Sequence, residues 1–261
     1  MPGDKTASLP NDLLRITFTE KDHSYVDEYG VSYTSVTTLV HNGFEKFDAC
    51  VVAHRKSKKT GVPPEQYIKS WDENRDRAAN DGTRMHENCE HQILGEFDKM
   101  HSPGDENERA EFRAAWMEVE KIRSAGFMYL EPEKLVFSPR FRVAGSIDLL
   151  CCKTDKKFLL LDWKRVKKIS RAGFQGKTGI EFPTRQLQDC NFIHYSLQLS
   201  IYEQILKMEN YIPQDAVVDK WLNVYNKETA EFDHIQCMDL SYSALAMMAW
   251  NVTSGEYDVP F

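Results

Sequence analysis

Apolar residues in this chain recur at two spacings, alternate positions in some stretches and every third or fourth position in others. The densest stretch is 143–168, VAGSIDLLCCKTDKKFLLLDWKRVKK. An apolar run over 143–152 meets the turn Lys153-Thr154-Asp155-Lys156-Lys157, and a second apolar run follows over 158–163. Short apolar runs bounded by turn residues predict a β-hairpin. Upstream, Arg15-Ile16-Thr17-Phe18-Thr19 alternates as a strand does, and 23–26 with 31–36 predict a hairpin around Asp27-Glu28-Tyr29-Gly30. Ser35-Val36-Thr37-Thr38-Leu39 reads as the start of a short helix with a hydroxyl as its cap. A helix is expected over 77–94 and another over 106–124, where Phe112, Ala115, Trp116, Val119 and Ile122 form an apolar stripe and Gly126 supplies the stop. Leu135-Val136-Phe137 predicts a strand that turns at Pro139-Arg140 into the hairpin. A long helix is expected over 184–208, with Leu197, Ile201 and Ile205 on one stripe and His194, Gln198 and Tyr202 on another. Strands over 217–225 and 231–237 and a helix over 242–250 complete the pattern. Residues 1–12 read as a flexible lead. The stretch 41–77 has no clean period, and its cations Arg55, Lys56, Lys58 and Lys59 read as a solvated face or a phosphate contact.

Composition narrows the class. The 261 residues, 41% hydrophobic and 28% charged, describe a soluble globular chain long enough for one sizeable core. The net charge of −7 and pI near 5.7 argue against a generally basic nucleic-acid binder, but leave room for a local basic groove. One such stretch follows the hairpin: Arg165, Lys167, Lys168, Arg171 and Lys177. No run of about 18 apolar residues is present, so no membrane helix is expected. The start, MPGDKTASLPND, has no signal-peptide core. Six scattered cysteines give no disulfide framework, which predicts a soluble intracellular protein of the cytoplasm or nucleus.

The hairpin also carries charge where a buried strand should not. Asp148 lies in its first strand, Asp162 in its second, and Lys164 two residues further on. Positions i and i+2 of a strand share a face, so Asp162 and Lys164 project together, and strand pairing brings Asp148 alongside. One reading is a structural ion pair. The other is a site in which two carboxylates hold a hard divalent cation through oxygen and the lysine positions an attacking water.

Gly145-Ser146-Ile147-Asp148 followed by Asp162-Trp163-Lys164 resembles the core motif of the PD-(D/E)XK nuclease superfamily, in its lambda exonuclease and RecB-like branch. Gly82-Thr83-Arg84-Met85-His86-Glu87-Asn88-Cys89-Glu90 is similar to the branch's G-T-x-x-H-x-x-x-E helix before the core. Gln198-Leu199-Ser200-Ile201-Tyr202 is similar to its Q-x-x-x-Y helix after it. The resemblance implies an α/β fold with a restriction-endonuclease-like core, a central mixed sheet flanked by helices, over 78–261. Residues 1–77 would be an N-terminal strand and helix extension packed on that core. It implies a Mg²⁺- or Mn²⁺-dependent nuclease cleaving DNA, an exonuclease acting on ends or single strands. His86, Asp148, Asp162 and the Trp163 carbonyl would hold the metal, and Asp148, Asp162, Lys164, Gln198 and Tyr202 would form the catalytic set. Glu90 and Glu133 would support it, and Arg84, Arg165, Lys167 and Lys168 are candidates for contact with nucleic acid. An RNA endonuclease on the same fold and a catalytically silent nucleic-acid-binding module are the alternatives. Only Cys237 follows Tyr202, so the cysteine group that holds an iron–sulfur cluster in some relatives is missing and no cluster is expected. No G-x-x-x-x-G-K-[ST] motif is present, so no nucleotide cofactor is expected, and unwinding would fall to a helicase or recombination or replication partner.

Overall fold

The computed structural model describes residues 4–11 and 13–253. Its spine is a nine-stranded mixed sheet. The strands are β1 (Lys5–Ser8), β2 (Arg15–Thr19), β3 (Ser24–Asp27), β4 (Ser32–Ser35), β5 (Tyr129–Ser138), β6 (Val143–Thr154), β7 (Lys157–Lys164), β8 (Val217–Asn226) and β9 (Glu231–Gln236). The helices are α1 (Val36–Asn42), α2 (Ala49–Thr60), α3 (Pro64–Leu94), α4 (Glu106–Ser124), α5 (Asn191–Met208) and α6 (Ser241–Thr253). Strands β1 to β4 form an antiparallel meander that joins the rest when β4 pairs in parallel with the start of β6, Thr34 opposite Val143. β5 runs antiparallel along most of β6, β7 pairs with its second half, and β8 and β9 extend the sheet beyond β7.

Helices cover both faces. α1, α5 and α6 pack Leu39, Leu197, Ile201, Ile205 and Met247 against Val143, Ile147, Leu150, Leu160 and Leu222. α3 and α4 pack Met85, Cys89, Val119 and Ile122 against Leu149, Cys151, Leu161 and Trp163. A strict period of two would put Ile147 and Leu149 on one face. They lie in opposite clusters, so β6 turns over at Asp148. Across the ladder, Glu133 of β5 sits in the left-handed region at φ 46°, between the pairs Pro132–Leu149 and Lys134–Ile147. On the other edge, β4 pairs with β6 at 143–144 and β7 only from 149. The sheet therefore forks beside 145–148, and Asp148 lies at the fork.

Several elements differ from the sequence expectation. Residues 5–8 form β1 instead of a lead, paired to β2 over their whole length; residues 1–3 and 12 lie outside the described set. The unpatterned 41–77 holds α2 and the first half of α3, which begins at Pro64, so the expected boundary at residue 77 falls inside a helix. These turns are exposed on nearly every side and so carry no apolar stripe. Ser35 does cap α1, accepting the Thr38 N–H at 3.0 Å. α5 starts at Asn191 and not 184. The Asn191 side chain is spent on the preceding loop, accepting from the Ser170 N–H and donating to the Lys168 carbonyl. Among the described residues no helix is long and apolar enough to cross a membrane. The six cysteines are free thiols.

Candidate active site

The fork gathers side chains from four elements. At its centre, Asp148 Oδ2 accepts the Trp163 backbone N–H at 2.8 Å, tying β6 to β7 where their ladder has ended. His86 reaches in from α3, with Nε2 2.9 Å from the Trp163 carbonyl. That carbonyl can only accept, so Nε2 carries the proton and Nδ1 presents a lone pair. Nδ1 lies 3.5 Å from Asp148 Oδ2. Burial, reinforced by the Lys164 ammonium, lowers the imidazole pKa to about 4, so His86 is neutral at physiological pH. Two acceptors therefore face each other. A third joins them from β5: ligand atoms of His86, Glu133 and Asp148 all lie within 4.8 Å of one another. Burial, then Asp148, raises the Glu133 pKa to about 7, and burial also raises that of Asp148. Ser146 Oγ donates to Glu133 Oε2 at 2.8 Å and fixes its orientation. One imidazole nitrogen and two carboxylates suit a small divalent cation, Mg²⁺ through the oxygens and Mn²⁺ through the whole set.

Beside this triad stands a second group. Asp162 is 1% exposed, and its Oδ2 lies 2.7 Å from Lys164 Nζ. Burial raises the Asp162 pKa to about 6 although Lys164 pulls the other way. Burial acts against the Lys164 ammonium, but Asp162 and Asp148 outweigh it and hold its pKa above the ordinary value. Helix α5 frames the pair. Gln198 Nε2 donates to Asp162 Oδ1 at 3.4 Å, and the Tyr195 ring centroid is 4.8 Å from Lys164 Nζ. One turn on, Tyr202 packs over Gly145, where a Cβ would fall 2.7 Å from its hydroxyl oxygen. Only a glycine leaves that ring room to lie on the strand.

The sequence candidates therefore divide. Asp148, Asp162, Lys164, His86, Gln198 and Tyr202 converge on the fork. The Trp163 carbonyl is engaged by His86, and Asp162 by Lys164, while Glu133, expected only as a support, completes the donor triad with His86 and Asp148. Glu90 does not orient His86; it lies 3.4 Å from Lys5 Nζ of β1. Arg84 and Arg165 are not available to phosphates. Arg84 pairs with Asp81, Glu108 and Glu111, and Arg165 with Asp81 and Glu111. Lys167 and Lys168 are exposed. Tyr195 was not among the sequence candidates. Its signal was its place three residues before Gln198, on the same helix face.

No family model matches the chain, and no curated protein matches it. Among solved structures, one described as "Putative exonuclease", from Eubacterium rectale, aligns at 12% identity and a TM-score of 0.38, over 67% of this chain and 65% of that one. The chain thus spans slightly less than two thirds of that neighbour's length.

Proposed function

We propose that this chain is a metal-dependent nuclease that hydrolyses DNA phosphodiester bonds, an exonuclease working on DNA ends or single strands. The observation that supports it is the acceptor triad. A neutral imidazole nitrogen and two carboxylates converge, with a buried ammonium alongside. Acceptors crowded in this way repel one another unless a proton or a cation joins them. A divalent cation held by His86, Glu133 and Asp148 would polarise a phosphodiester and acidify a bound water. Lys164 acts as a cation rather than a base. Held protonated by Asp162, it keeps its N–H donors to orient a water and to offset negative charge growing on a phosphate. Gln198 and Trp163 hold the two aspartates in place, Gln198 through Asp162 and the Trp163 N–H through Asp148.

The test is cleavage in Mn²⁺ of end-labelled single-stranded DNA, duplex DNA, a closed DNA circle and RNA. A ladder growing from one end of DNA is the expected result. Cuts in the circle would make the protein an endonuclease, and cleavage of RNA alone would move the substrate to RNA. Asp148→Asn and Lys164→Met should each slow DNA cleavage by about 10²- to 10⁴-fold with circular dichroism unchanged. Full activity in both variants, or cleavage undiminished by a chelator, would end the proposal.

A further inference from the structure

The connection between β7 and α5, residues 165–190, leaves the fork directly after Lys164 and returns into the helix that carries Tyr195 and Gln198. Both its ends thus lie at the candidate active site. Its charge is mostly positive, six cations against Glu181 and Asp189. From Trp163 to Ile180 there is no carboxylate, while Lys164, Arg165, Lys167, Lys168, Arg171 and Lys177 fall in the same stretch of a chain whose net charge is −7. Its apolar residues are also misplaced for a solvated loop: Phe174 is 74% exposed, Ile180 53% and Phe182 64%. Single exposed apolar residues are ordinary, but three within one basic loop are not.

The loop is held in shape rather than left free. Gly173 N–H donates to Gln188 Oε1, Gly179 N–H to the Leu187 carbonyl, and Asp189 N–H to the Lys177 carbonyl. Ile180 N–H and Thr184 Oγ1 both donate to the Gly43 carbonyl, pinning the loop to the end of α1. Its glycines close it. A Cβ on Gly173 would sit 2.0 Å from the Lys177 carbonyl oxygen, and one on Gly179 2.3 Å from Thr184 Oγ1. At Gly173 and Gly179 it is this close approach that requires glycine. Arg171 is braced 3.9 Å from the Phe192 ring centroid, and Lys177 is engaged by Glu45. Lys167, Lys168 and Arg171, in the stretch leading to Phe174, are exposed.

We propose that this loop is a stacking platform for single-stranded nucleic acid. Unpaired bases lie on Phe174 and Phe182, and Lys167, Lys168 and Arg171 take the phosphates. Exposed rings in a basic, preordered frame match a strand whose bases are free to stack, and a duplex, with its bases already stacked, offers the rings no such face. The proposal deepens the nuclease reading by naming the strand form delivered to the fork, and it rests on that reading.

The test separates binding from cleavage. Fluorescence anisotropy with a labelled oligothymidylate and with a labelled duplex, in chelator, measures affinity without turnover. Phe174→Ala with Phe182→Ala should weaken single-strand binding by roughly 10- to 100-fold and leave duplex binding unchanged. Phe174→Trp with Phe182→Trp should retain it. Lys167→Glu with Lys168→Glu should weaken binding and flatten its salt dependence. Unchanged single-strand affinity in the double alanine variant, or an equal loss on duplex, would overturn the platform while leaving cleavage untouched. If Mn²⁺-dependent cleavage is absent but the alanine pair still lowers single-strand affinity, the nuclease reading fails and the platform stands.

Discussion

Lys164 and Arg165 are joined by one peptide bond, yet they serve two differently built charge clusters. Arg165 lies 2.6 Å from Asp81 and 2.5 Å from Glu111, and Arg84 reaches Asp81, Glu108 and Glu111. Three carboxylates there face two guanidiniums, whose forked donors suit several oxygens at once. On the other side of that peptide bond, Glu133, Asp148 and Asp162 face the Lys164 ammonium, the Lys5 ammonium that also acts on Glu133 is paired with Glu90, and the imidazole among them is uncharged. The shortfall shows in the acidities: all three carboxyls are pushed up, first by burial. Buried charge is tolerated where partners saturate it. A cluster left short of positive charge is the one in which a ligand completes the set, so the first cluster reads as a brace and the second as a site.

The largest contrast between the two lies in stability. Arg165→Met takes from Asp81 and Glu111 the nearer of their two guanidiniums, leaving Arg84 at 3.6 and 3.5 Å, so the loss falls at the low end for a broken buried pair, about 3 kcal/mol. The melting temperature in chelator should fall by roughly 10 °C. Asp148→Asn removes one of the repelling carboxyls while keeping an oxygen for the Trp163 N–H, so the metal-free protein should melt at the same temperature or higher. Thermal denaturation of both variants measures the difference. Equal destabilisation by the two would erase the distinction between brace and site.

That distinction was only half legible in the sequence. The i, i+2 relation of Asp162 and Lys164 follows from strand geometry, and their atoms lie 2.7 Å apart. Asp148 was legible through the hairpin, because two paired strands bring fixed positions together. Glu133 carried no comparable signal. Its place depends on a left-handed residue in mid-strand and on β6 turning over, neither of which an alternating pattern encodes. Arg84 and Arg165 read equally well as phosphate contacts, since Asp81, Glu108 and Glu111 come from other turns and another helix and only tertiary packing brings them together.

Next in size is the response to metal and pH. In the folded metal-free protein, Glu133 and Asp162 bind protons more tightly than the unfolded chain does, with pKa values of about 7 and about 6. Their contribution to stability is therefore present at low pH and is lost as pH rises from about 4 through 7. A cation binds the ionised carboxyls and acts in the opposite direction. At pH 8, Mn²⁺ at about 100 times its dissociation constant should add about 2.7 kcal/mol. At pH 6 protonation of Glu133 weakens binding about tenfold and should roughly halve that gain. Melting temperatures with and without Mn²⁺ at the two pH values test this, and Glu133→Gln should remove most of the pH dependence. A gain equal at both pH values would take Glu133 out of the donor set.

The smallest effect concerns how the two cations are held. Arg165 is fixed by carboxylates alone, whereas Lys164 lies between the Asp162 carboxylate and the face of Tyr195. A partly buried cation–ring contact contributes about 1 kcal/mol, which is about fivefold in a rate. Tyr195→Leu should therefore lower kcat/KM by about fivefold, and Tyr195→Phe, which keeps the ring and loses only the hydroxyl, should stay near the unaltered rate. If the ring helps keep Lys164 protonated, the leucine variant should also lose activity at lower pH on the alkaline side of its profile while the phenylalanine variant does not. An equal loss in both variants would assign the effect to the hydroxyl. Lys164 would then be held by Asp162 alone, and the two neighbouring cations would differ only in how many carboxylates each has.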